Sequence, residues 1–126
     1  MMNVFQLRFV SAGLFFLLIL PSGLWLRHAG KPYGFILFNL HKLIGLGVFI
    51  FLAVNIYRMN QAAPLSTLEL TAWIATGLFF VATIVSGGLV SIDKSWPAVV
   101  PILHKLLPYL TVLATTISLY LLFRQR

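Results

Sequence analysis

The chain has 126 residues, of which 60% are hydrophobic and only 9% charged, with a mean hydropathy of +1.00. A soluble domain carries about a quarter of its residues as charged groups, so a water-exposed surface is excluded and an integral membrane protein is implied, with about four or five crossings at most. The net charge of +7 comes from nine Lys and Arg against two acids, Glu69 and Asp93. These basic residues stand singly at the ends of apolar runs, as interfacial anchors do, and form no footprint for nucleic acid. The absence of cysteine removes disulfides, thiolate metal sites and cysteine nucleophiles.

The first apolar stretch covers about 9–26, behind Arg8, whose stem can snorkel to a headgroup. A basic start before an apolar core is also the secretory pattern. The following Leu24-Trp25-Leu26-Arg27-His28-Ala29 offers no small-x-small cleavage site, so retention as a helix is expected. Arg27, His28, Gly30, Lys31, Pro32 and Gly34 make a polar turn, and a second span follows over about 35–57. Asn60, Gln61 and Pro64 are expected in the second loop. Ser66 or Thr67 can cap a third helix over about 67–92, with Glu69 in its first turn where the helix dipole favours an acid. Asp93, Lys94, Pro97 and Pro101 mark the third loop, and the fourth span covers about 99–123 before Arg124 and Arg126.

The expected fold is therefore all-α, an up-down-up-down membrane bundle of four helices. Arg8, Arg58, Arg124 and Arg126 fall on one face, and Arg27, Lys31, Lys42, Lys94 and Lys105 on the other. With Lys42 and Lys105 set aside as site residues, the balance places both termini in the cytoplasm.

An internal repeat divides the chain into 1–63 and 64–126. Gly13-Leu14-Phe15-Phe16 followed by Ser22-Gly23 recurs 64 residues on as Gly77-Leu78-Phe79-Phe80 followed by Ser86-Gly87. Leu40-His41-Lys42-Leu43 recurs 63 residues on as Leu103-His104-Lys105-Leu106. Each part alone is weak, but the joint pattern implies two helical hairpins related by a pseudo-twofold axis along the membrane normal. Under that symmetry His41 and His104 are equivalent, each roughly 8 to 9 Å below the same face by helix rise, with the two Ser-Gly pairs in the same layer.

An ionisable residue inside a span is costly and is by default a functional candidate. The plain alternative is a neutral histidine bonded to a neighbouring helix. Two equivalent histidines point instead to a shared ligand, and the ligand that fits is one haem b, with His41 and His104 as axial ligands to its iron. Ser22, Gly23, Ser86 and Gly87 would let the other two helices approach the macrocycle, or serve simple helix packing. Lys42 and Lys105 can reach the haem propionates, or merely snorkel to the headgroups. His28 reads as a surface residue. Zinc or non-haem iron would be left short of ligands. Pro108 frees the His104 carbonyl and should bend the fourth helix. Asn55, Thr111 and Ser118, with Thr76 and Thr83, form a polar face below the histidines. They suit interhelical hydrogen bonds, or the headgroup of a quinone.

A four-helix bundle with intramembrane histidines paired across helices and with glycines facing the ring resembles the membrane-bound cytochrome b superfamily, such as the cytochrome b subunits of hydrogenases and formate dehydrogenases. The resemblance covers the whole chain in architecture. It implies a bis-histidine haem b on His41 and His104 that passes electrons between a quinone pool and a redox partner subunit or a second copy of the chain, in a bacterial inner membrane. Those relatives usually carry four histidines and two haems, whereas this chain has one pair, so a reduced, single-haem version is expected. The competing class is a small transporter or accessory subunit, and a third is a haem-handling protein that releases the same cofactor. A proton-coupled exporter needs an intramembrane acid, and Glu69 lies near a helix start.

Overall fold

The structure is a computed structural model that describes residues 4–30, 34–92 and 96–125. Lys31, Pro32, Asp93, Lys94 and Arg126, read above as loop and terminal residues, lie outside the described residues. Four helices account for nearly all the rest: α1 (Val4–Ala29), α2 (Phe35–Ala62), α3 (Thr67–Ser91) and α4 (Val99–Gln125), with no strand among the described residues. Each is long and apolar enough to cross a membrane, which is compatible with a multi-pass membrane protein.

The helices outrun the expected spans at both ends of α1 and at the C-terminal ends of α2 and α4. Their 25 to 28 residues correspond to roughly 38 to 42 Å, longer than a hydrocarbon core of about 30 Å and close to the thickness that includes the headgroups. Their last turns therefore carry polar residues without leaving the helix. This corrects two assignments. Asn60 and Gln61 belong to α2 and not to the loop. The Asn60 Oδ1 accepts from the Leu65 N–H at 3.0 Å and so ties down the turn from inside the helix. Pro101 lies in the first turn of α4, where the missing N–H would have no helical acceptor in any case. Pro21 and Pro108 are both accommodated inside continuous helices.

The ends are chemically defined. Gly30 takes φ +74°, the left-handed conformation that stops α1, and its N–H reaches the Leu26 carbonyl at 3.0 Å. Ser66 is the N-cap of α3. Its Oγ accepts from the Glu69 N–H at 3.2 Å, while the Glu69 carboxylate accepts from the Ser66 N–H at 2.7 Å, a complete capping box.

The chain forms two compact units, 1–58 and 59–126. In the first, Ser22 near the end of α1 meets His41 near the start of α2, and Arg8 meets Asn55 at the opposite ends, so the two helices run antiparallel. In the second, Ser86 with His104, Thr83 with Thr111 and Thr76 with Ser118 define an antiparallel pair of the same kind.

Burial follows the repeat along the seams of α2 and α4 and at three positions of α1 and α3. Along α2 the buried residues are Val48, Leu52, Asn55 and Met59, spaced four, three and four apart. Along α4 they are Thr111, Thr115, Ser118 and Leu122, the same spacing displaced by 63 residues. Phe9, Phe16 and Ser22 of α1 correspond to Trp73, Phe80 and Ser86 of α3, displaced by 64. Alternation of three and four is the seam by which one helix packs against a partner. Away from the seams, Leu14, Leu43, Leu78 and Leu113 are more than half exposed, as expected of surfaces solvated by lipid.

Because the capping box satisfies two orphan N–H groups at once, Ser66→Ala should lower the unfolding free energy in detergent by about 1 kcal/mol. Thr67→Ala is the control and should cost less. Equal losses for the two variants would show that Ser66 does not cap.

Candidate functional site

Each unit builds the same small constellation from a serine, the glycine that follows it, and a histidine on the neighbouring helix. Ser22 sits in the last turns of α1, just after Pro21. Its Oγ donates to the Ile19 carbonyl at 2.9 Å and lies 2.7 Å from His41 Nδ1 on α2. In the second unit Ser86 Oγ donates to the Thr83 carbonyl at 3.0 Å and lies 3.0 Å from His104 Nδ1 on α4. Both serines are buried and both histidines half-buried.

The glycines explain how an imidazole gets so close to a helix backbone. A Cβ placed on Gly23 would stand 3.0 Å from His41 Cε1 and 3.7 Å from each ring nitrogen. On Gly87 it would stand 2.7 Å from His104 Cε1 and 3.3 Å from each nitrogen. Both rings thus meet the glycine through Cε1, with the two nitrogens evenly disposed. The next residue along, Gly88, has nothing within 4 Å of its Cβ position among the described residues. The space left by Gly23 and Gly87 is therefore taken by the imidazole edges, and these glycines seat the histidines directly. Any service to a flat macrocycle comes through the ring they seat.

The bond expected of a merely packed histidine is thus present in both units, at Nδ1. The lysines behave alike in position and differently in contact. Lys42 and Lys105 are both exposed next to their histidines, and Lys42 Nζ lies 4.8 Å from the centre of the Phe38 ring, one turn toward the start of α2. A lysine that leans back toward its helix start is aimed at the membrane face it must reach. Pro101 holds the repeat-equivalent place in α4 and offers no aromatic ring. His28 is exposed in the last turn of α1, in keeping with a surface residue. Among the described residues no group of three or more His, Cys, Asp and Glu could enclose a metal ion.

Beyond the histidines the two units diverge. In the second, Thr76 and Ser118 lie 2.8 Å apart, and Thr83 and Thr111 3.0 Å apart, which makes them the interhelical bonds that their spacing suggested. In the first, Ile19 and Val48 stand at the places of Thr83 and Thr111. There Arg8 Nη1 donates to Asn55 Oδ1 at 3.4 Å, while Asn55 Nδ2 donates to the Phe51 carbonyl at 2.7 Å. The sequence reading sent Arg8 to the headgroups and so missed this contact. The register that pairs Ser22 with His41 also pairs Arg8 with Asn55, and that register was the available signal. Glu69 is 2% exposed and its carboxylate is engaged in the α3 cap.

No family model, no curated protein and no solved structure matches the chain.

Alanine is ordinarily the better helix former by about 1 kcal/mol, so Gly88→Ala should be neutral or stabilising. Gly87→Ala must push the His104 ring off Ser86 and should cost about 1 to 3 kcal/mol as an overpacked contact. Unfolding of the two variants side by side in detergent checks this. Equal stabilities would mean that the His104 edge does not rest on Gly87.

Proposed function

We propose that the chain is a b-type membrane cytochrome that binds one haem b through His41 and His104 and transfers electrons to or from a quinone pool or a partner redox protein. In this reading the four helices form an up-down-up-down bundle whose hairpins are related by a pseudo-twofold axis along the membrane normal. The termini are cytoplasmic in a bacterial inner membrane, and the histidine layer lies toward the opposite face.

The single observation that carries the reading is the duplication of the Ser–His–Gly constellation: Ser22, Gly23 and His41 in one unit, Ser86, Gly87 and His104 in the other. Elsewhere in the second unit helices are joined by hydroxyl pairs such as Thr76 with Ser118. A hydroxyl pair makes an interhelical bond without burying an ionisable ring, so packing alone gives no reason to use imidazole twice at equivalent places. The donor set also fits the group. Imidazole is a standard haem ligand, and each hairpin supplies one with its orientation fixed by a hydrogen bond at the nitrogen that does not ligate.

When bound, haem b supplies a one-electron ferric/ferrous couple. The remaining work falls to the chain's own residues. His41 and His104 would hold the haem iron through their imidazoles, a ligand pair suited to electron transfer. Lys42 and Lys105, exposed beside their histidines, would neutralise the propionates. The apolar exteriors of the helices keep water away. The transporter alternative is weakened by Glu69, whose carboxylate holds a helix cap in place of a coupling role.

The purified protein from haem-replete cells should be red, with a single sharp α-band on reduction and protohaem on pyridine extraction. His41→Ala and His104→Ala should each abolish that band. A colourless preparation would refute the proposal.

A further inference from the structure

Within each hairpin three polar atoms stand in line at hydrogen-bond distance: a backbone carbonyl oxygen, the serine Oγ and the histidine Nδ1. In the first hairpin the steps are 2.9 Å from the Ile19 carbonyl to Ser22 Oγ and 2.7 Å on to His41 Nδ1. In the second they are 3.0 Å from the Thr83 carbonyl to Ser86 Oγ and 3.0 Å on to His104 Nδ1. Two such contacts need two protons. The carbonyl has none to give and the hydroxyl has one; with that proton on the carbonyl of its own helix, the histidine contact takes its proton from Nδ1–H.

We propose that Ser22 and Ser86 are positioning residues that hold His41 and His104 as the Nδ1–H tautomer, leaving the in-plane lone pair on Nε2 as the ligating site. The tautomer rests on the serine's bond to its own helix, and its consequence for iron rests on the haem reading above. The two tautomers of a neutral imidazole are chosen by the hydrogen bond that one nitrogen makes, so a single serine decides which nitrogen is available. Donation from Nδ1–H to Oγ also makes Nε2 the more basic ligand and favours the ferric state. The serine's bond to its own helix fixes Oγ as the acceptor, and the adjacent glycine lets the ring come within reach.

The test uses the full chain in lipid bilayers, prepared without haem and labelled with ¹⁵N in its histidine rings, with the three signals assigned by single histidine variants. At a pH where the rings are neutral, His41 and His104 should each show a protonated Nδ1 and a bare Nε2. Ser22→Ala should abolish that preference at His41 alone and Ser86→Ala at His104 alone, while Ser22→Thr and Ser86→Thr, which keep a hydroxyl, should retain it. In the haem-loaded protein the alanine variants should raise the midpoint potential and weaken haem retention on the order of 10- to 100-fold, and the threonine variants should not. A protonated Nε2 in the parent protein, or rings indifferent to loss of the serines, would overturn the proposal. A protein that shows the Nδ1–H signature yet never takes up haem would refute the haem reading and leave the tautomer assignment standing.

Discussion

An imidazole within a membrane span has to solve two problems together. Its nitrogens need partners that water no longer provides, and its flat ring must fit between helices packed about 8 to 10 Å apart. In this chain a two-residue step answers both: a serine whose hydroxyl is anchored on its own helix meets Nδ1, and the glycine after it leaves the space into which Cε1 fits. The rest of the arrangement depends on that step. It fixes which face α1 turns toward α2, and α3 toward α4. It sets the antiparallel register, and it places each histidine in its seam.

The buried seams indicate which features of the repeat are constrained and which are free to vary. Many of the positions that pack are shared by the two units, from Phe9 and Trp73 to Ser22 and Ser86, whereas their chemistry differs. Val48 and Leu52 became Thr111 and Thr115 or the reverse, and an Arg8–Asn55 contact stands where the other unit has a helix-to-helix hydroxyl pair. A seam tolerates exchange of Val for Thr because the hydroxyl bonds back to its own helix, as Thr111 does to the Leu107 carbonyl at 2.8 Å. The Ser–Gly step and its histidine are identical in the two units, and each of the three supplies a different element: the acceptor, the space and the ring.

Much of this was legible in the sequence. Composition and the length of the apolar runs identified four membrane-length helices, and the duplicated Ser-Gly and Leu-His-Lys-Leu motifs selected the residues that come together within each hairpin. The capping serine and Glu69 were readable because a capping box has a fixed spacing. The helix ends at Asn60 and Pro101 were not, because polar residues and proline at the ends of apolar runs look like loop residues although the helix continues through them. The partner of Gly23 and Gly87 was also missed. A glycine in a membrane helix signals close approach without naming what approaches, and the arriving group is the histidine edge itself. Arg8 was assigned to the headgroups because no register had been set that would bring Asn55 beside it.

The central claim is that the two seated imidazoles are the two axial ligands of a single haem iron. Electron paramagnetic resonance of the oxidised protein, with haem quantified against protein, tests it most directly. The account predicts one haem per chain and a low-spin ferric signal, the signature of two strong nitrogen ligands. A high-spin ferric signal, or a chain that binds no haem, would contradict it.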